Sequence, residues 1–238
     1  MFSPPLRFPI VALSLAFGLG VFAAPALCQG SERAKELNKQ GIELQSTGKL
    51  KEACQMYRQA ISLSPAGSGA GFHNNLALAL KDLGEWKDAE AEARIALKLR
   101  PQRADYHFNL GIILQRQNRL EEAEAAYKQA LALDAADTDC HFRLAQIYLA
   151  QEKFDAAVDD LKLALLLKPD RAEYIELMGD IEIKKGNLDG ALYQYRQVMD
   201  LRGLTVSTVS GELRNKIEFV VSALKARAKS GSLGNTNE

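Results

Sequence analysis

The chain has 238 residues, 47% apolar and 25% charged, an ordinary globular balance that argues against a wholly disordered polypeptide. Thirty Lys and Arg against thirty Asp and Glu leave no net charge, which removes the phosphate attraction that nucleic-acid binders rely on. Three Cys and three His argue against a disulfide scaffold and a multinuclear metal site.

Residues 1–28 form the first element. Phe8 to Leu27 is a run of twenty uncharged residues behind Arg7, the pattern of a secretory signal. Ala26-Leu27-Cys28 places small residues at the two recognition positions, so cleavage after Cys28 is expected, with cleavage after Ala26 as the alternative. Leu27 is too bulky to precede a lipid-modified Cys28. Twenty apolar residues also reach across about 30 Å of hydrocarbon, which keeps an uncleaved anchor as the second reading. In either case the rest of the chain is expected to be exported, periplasmic or secreted, and to meet a membrane only through this segment.

Residues 34–203 repeat every 34 residues, in units 34–67, 70–103, 104–137, 138–171 and 172–203. The eighth place is Gly41, Ala77, Gly111, Ala145 and Gly179. The twentieth is always Ala (53, 89, 123, 157, 191), and the twenty-seventh is Ala60, Ala96, Ala130, Ala164 and Val198. Large apolar residues fall between them at spacings of three and four, so each unit is predicted to be two helices with one buried stripe. Gly48, Gly84, Asn118 and Gly186 mark the reversal between the helices of a unit, and Glu152 holds that place in the fourth. Pro65, Pro101 and Pro169 end second helices. The small residues are expected to let paired backbones approach, with Tyr57, Tyr127 and Tyr195 filling the gap to the next pair. Ser68 and Gly69 are two extra residues within a flexible run between the first two units.

Tyr106-His107-Phe108-Asn109-Leu110-Gly111, then Asn118-Arg119-Leu120-Glu121-Glu122-Ala123 and Ala126-Tyr127, carry a pattern that resembles the tetratricopeptide repeat family over residues 34–203. Ala93 and Leu161 replace its aromatic residue in the second and fourth units. The resemblance implies an all-α, right-handed solenoid of five repeats whose first helices line a concave groove. Residues 209–228, with Leu213, Ile217, Val220, Val221 and Leu224 on one stripe and Arg214 and Lys216 supplying solubility, are predicted to be the capping helix that such an array needs. Residues 231–238 are expected to be a disordered tail.

Chemistry is sparse. His73, His107 and His141 all occupy the fourth place, and helix spacing of about 10 Å keeps such side chains from sharing a metal. Cys54 and Cys140 lie in repeats separated by two whole units, so they are expected to be unbridged, small, semi-buried thiols. Gly67-Ser68-Gly69-Ala70-Gly71 lacks the strand and the Lys-Ser/Thr of a phosphate loop. Asp159-Asp160 and Glu121-Glu122 diverge on helix surfaces and are expected to be solvated, as is Glu124. No catalytic, metal or cofactor residue is assigned, and an enzyme is not expected.

The family resemblance places the binding residues on the first helices: Lys35, Asn38 and Lys39, then Asn74, Asn75 and Lys81. Asp105, Phe108, Asn109, Gln115 and Arg116 follow, then Asp139, Phe142, Arg143 and Gln146, with Glu173, Glu176 and Asp180 making an acidic far end. Phe108 and Phe142 hold the same place in neighbouring repeats and are candidate peptide anchors, or else pack between first helices. A clamp for the carboxylate end of chaperone tails is disfavoured, since only Asn75 matches it. The sequence therefore points to a module that holds a protein segment or peptide in its groove, with a structural, self-associating protein as the alternative. Partner and oligomeric state are left open.

Overall fold

The computed structural model describes residues 23–65, 67–205, 208–209 and 211–234. Among these the chain forms α1 (Ala23–Ser46), α2 (Leu50–Ser62), α3 (Ala70–Leu83), α4 (Trp86–Leu99), α5 (Ala104–Arg116) and α6 (Leu120–Leu133). It continues with α7 (Thr138–Ala150), α8 (Phe154–Leu167), α9 (Ala172–Lys184), α10 (Leu188–Leu201) and α11 (Gly211–Gly234), and the described residues hold no strand. The expected all-α array of helix-turn-helix repeats is the fold observed. Two compact units divide it, residues 1–101 and 102–238. In the first, α1 pairs with α2 and α3 with α4, and α2 lies against α3. In the second, the pairs are α5/α6, α7/α8 and α9/α10, with α11 on α10. The division falls after Pro101, while the two-residue insertion at Ser68-Gly69 lies inside the first unit.

The small places are where backbones touch. Each alanine at the twentieth place, and each residue at the twenty-seventh, is fully buried. The tyrosines are not where the periodicity put them. A Cβ on Gly41 would come within 2.5 Å of the Tyr57 ring, on Gly111 within 2.6 Å of Tyr127, and on Gly179 within 2.5 Å of Tyr195. Each ring thus lies over the eighth-place glycine of its own pair, because only a missing side chain leaves room for it there. Where the ring is absent, at Ala93 and Leu161, the eighth place is Ala77 and Ala145. The tyrosine hydroxyls are satisfied within the repeat as well. Tyr57 donates to Gln45 Oε1 at 2.9 Å, Tyr127 to Gln115 Oε1 at 3.0 Å and Tyr195 to Asp180 Oδ1 at 2.7 Å.

The reversals follow the expected residues. Gly48, Gly84 and Gly186 have φ of 78°, 81° and 77°, and Asn118 and Glu152 adopt the same left-handed backbone at 59° and 58°. Most second helices start without a side-chain cap. Asn187 is an exception, accepting from the Gly190 N–H, and Asp137 caps α7 by accepting from the N–H groups of Asp139 and Cys140.

Two boundaries differ from expectation. α1 begins at Ala23, inside the segment read as the signal, so the helix crosses both expected cleavage points. Residues 1–22 lie outside the described residues, and no described helix is long and apolar enough to cross a membrane. α11 runs to Gly234, past the expected end at 228 and into the expected tail, since Ala223 to Ser230 contains no helix breaker. Residues 235–238 lie outside the described residues. Leu213 and Val220 bury the stripe of α11 in a core shared with Ala191, Tyr195, Val198 and Val209, which removes apolar surface from the end of the array as a cap must.

Candidate functional site

In the first unit the candidate groove residues come from α1 and α3. Asn75 Nδ2 donates to Asn38 Oδ1 at 2.9 Å, joining two of them across the helices. Asn74 is 7% exposed and faces the interior. Lys35 pairs with Glu32 at 2.7 Å and Lys81 with Asp82 at 3.2 Å, while Lys39 is exposed.

In the second unit they come from α5, α7 and α9. Asp105 is gripped by both arms of the Arg103 guanidinium at 2.8 Å. That hydrogen bonding holds its carboxyl below the usual range. Phe108 and Phe142 are both half-buried. Phe108 leans on Tyr127 of its own pair, with ring centroids 5.7 Å apart. Phe142 packs on Tyr174 of the next first helix at 5.1 Å, so the alternative of packing between first helices holds for Phe142. Asn109 is half-buried beside Phe108 in sequence, and Arg116 is exposed one turn beyond Ile113. Arg143 donates to Gln146 Oε1 at 3.2 Å, tying two further candidates together on α7.

The far end is rearranged by a residue that the sequence assigned to solubility. Lys216 of α11 donates to Glu176 Oε1 at 3.0 Å and to Asp180 Oδ2 at 2.9 Å. Arg202 adds a contact to Glu176 at 3.3 Å, and Asp180 also accepts from Tyr195. Burial pulls the Lys216 ammonium down, but hydrogen bonds to Asp180 and Glu176 outweigh it and leave its pKa above that of an ordinary lysine. Glu176 and Asp180, expected as free acids for a partner, are therefore already paired within the chain. One signal was available: counted from Gly211, Lys216 and Phe219 fall at the sixth and ninth places, both groove places of a first helix.

Beyond the groove, His73 and His141 tie helices together. His73 Nδ1 lies 2.6 Å from Glu92 Oε2, and His141 Nδ1 lies 2.7 Å from Asp160 Oδ1, each contact joining the two helices of its repeat. Asp160 is thus not solvated, and burial raises its pKa against the opposing pull of His141. Glu124 is likewise not solvent-facing: it meets Lys128 at 2.6 Å and accepts from Tyr148 at 3.3 Å. Cys54 and Cys140 are free thiols, fully buried rather than semi-buried, and burial pushes both pKa values up.

Three family profiles described as tetratricopeptide repeat match residues 37–66, 74–138 and 114–181. No curated protein matches the chain. Among solved structures, a tetratricopeptide repeat protein from Parabacteroides merdae superposes with a TM-score of 0.71 at 16% identity, over 87% of this chain and 81% of that one. MamA from Desulfovibrio magneticus RS-1, from its residue 41 onward, gives 0.66 at 20% identity, over 71% and 95%. YrrB, described as a TPR protein with an unusual peptide-binding site, gives 0.62 at 19% identity, over 76% and 92%. At these identities the likeness is one of fold.

Proposed function

The chain belongs to the tetratricopeptide repeat family, and from that premise we propose that it is an exported, non-catalytic interaction module that holds an extended peptide or helix of a partner protein against its first helices. The family's fold supports protein–protein interaction in general. The observation that carries the finer reading is the pair Phe108 and Phe142. They occupy one place in consecutive first helices, each is half-buried, and each is backed by a tyrosine ring. Rigid aromatic anchors with polar neighbours such as Asn109 and Arg143 are the residue types that dominate interface energetics. YrrB, which shares the fold, is described by its peptide-binding site, and that supports a peptide as the class of ligand. The apolar segment before α1 supports export, and an assembly or scaffold role in the cell envelope follows from the two together.

The test is affinity capture from the native envelope fraction, comparing the intact chain with a Phe108→Ala, Phe142→Ala variant. A partner held by the intact chain and lost from the variant is the expected result. Capture that ignores both changes rejects the groove. A second reading, self-association, is favoured by apolar side chains left exposed on the second helices, notably Leu166 at 80% and Tyr193 at 60%. Light scattering across a concentration series separates the two, since a concentration-independent monomer supports partner binding.

A further inference from the structure

The capping helix does more than close the array. α11 presents Asn215, Lys216 and Phe219 to a cleft of about 480 Å³, whose other wall is Leu149 of α7 with Asp180, Ile183 and Lys184 of α9. That volume suits one or two inserted side chains of a peptide. Two features set this cleft apart from a cap that only solubilises. Phe219 is 57% exposed at the mouth, where a solubilising helix would carry a polar residue. One lining cation is also left without a counter-ion among the described residues. Lys216 is shared among Glu176 at 3.0 Å, Asp180 at 2.9 Å and Glu212 at 3.2 Å. Asp180 also accepts from Tyr195 at 2.7 Å, whereas Lys184 is exposed and has no ion pair among the described residues.

We infer that α11 is a wall of the binding surface, and that the cleft between α7, α9 and α11 takes a peptide segment carrying an aromatic or branched apolar side chain with an acidic residue close beside it. The apolar side chain enters between Leu149, Ile183 and Phe219, and the carboxylate meets Lys184. Lys216 is engaged by Glu176, Asp180 and Glu212, which leaves Lys184 as the lining cation a ligand can use. Complementary charge sets orientation and association rate, and the buried anchor sets affinity. The inference rests on reading the chain as a peptide-binding module.

The probe is a random twelve-residue peptide library displayed on phage and selected on the full chain, with the recovered peptides synthesised and their binding measured by fluorescence anisotropy. Recovered peptides should share an apolar residue within about four positions of Asp or Glu. Binding should fall at least ten-fold on Phe219→Ser and on Lys184→Glu, and changing the peptide's acid to Lys should restore binding to Lys184→Glu. Phe219 and Lys184 are exposed, and circular dichroism should confirm that both variants keep the wild-type helix content. Peptides lost on Phe108→Ala but indifferent to Phe219→Ser overturn this inference and leave the groove reading standing. Selection of basic peptides overturns it as well. Recovery of no peptide at all removes both readings. A dimer that Phe219→Ser converts to a monomer makes a second copy the occupant and overturns the peptide.

Discussion

Gly111 and Tyr127 show how one residue type compels another sixteen places away. The Tyr127 ring fills the volume that a Cβ on Gly111 would need, at 2.6 Å from the nearest ring carbon. Gly111→Ala should therefore destabilise by about 1–3 kcal/mol through overpacking, against a helix-propensity gain of at most about 1 kcal/mol. In the second and fourth repeats the same two places hold Ala77 with Ala93 and Ala145 with Leu161, a combination with no ring to displace. Adding Tyr127→Leu to Gly111→Ala should cost less than the sum of the two single changes, by roughly 0.5–3 kcal/mol. Chemical denaturation of the four species measures that coupling, and strict additivity would show that the ring and the glycine do not compete for space. Glu152 offers a change in the opposite direction. Its φ of 58° is the backbone that Gly48, Gly84 and Gly186 adopt at the same place, and a side chain there costs about 1–2 kcal/mol. Glu152→Gly should raise stability by about 1 kcal/mol after the entropy of glycine is subtracted. In a chain of this size that moves the melting temperature up by roughly 2–4 °C, and an unchanged or lower value would mean that the turn is not strained.

At the scale of a helix, α6 shows how much of the packing the period alone conveys. Ala123, Ala126, Tyr127 and Ala130 are its buried face, and the 34-residue frame identifies 123, 127 and 130 directly. The helix surface beside them is less legible. Glu124 reads as solvent-facing by rotation, yet it meets Lys128 on its own helix and Tyr148 on α7, because the next repeat covers one flank of α6. Asp160 escapes the same reasoning, since its partner His141 lies nineteen residues back on the paired helix. A fair control for the close-packed face is therefore Ala125, which is exposed. Ala123→Leu should lose about 1–3 kcal/mol, as three extra carbons must enter a fully packed contact, and Ala125→Leu should stay within about 0.5 kcal/mol of the wild type. Equal melting temperatures for the two variants would put the repeat frame out of register.

For the whole molecule, the repeats were legible because their punctuation recurs in register, and α11 was legible as an element because its stripe is apolar. Its partners were not. The frame that assigns groove places ends at residue 203, and the connecting segment has no period to set the register of α11. Lys216 consequently reads as a solubilising cation, although the fold brings it to Glu176 and Asp180. The tyrosines make a property of the whole chain from these local packings. Tyr57, Tyr127 and Tyr195 are fully buried, and burial is the largest cause of the raised pKa in each. Tyr57 is pushed up to about 12 and the other two stand higher. A group whose folded pKa exceeds its unfolded value contributes stability that is fully present below the unfolded pKa, about 10 for a phenol, and is lost as pH rises through the folded one. Helix content should hold to about pH 10 and then fail through pH 12, with one tyrosine from the first unit and two from the second ionising as the helices melt. Absorbance at 295 nm followed beside ellipticity at 222 nm checks the coincidence. Replacing all three with Phe removes their hydrogen bonds, at about 0.5–1.5 kcal/mol each at neutral pH, but should flatten the fall in urea midpoint between pH 8 and pH 11. Phenolates that form in the wild type but not in the triple-Phe variant while the helices stay intact would show that these rings are open to solvent and that the close contact over Gly41, Gly111 and Gly179 is not what holds the pairs together.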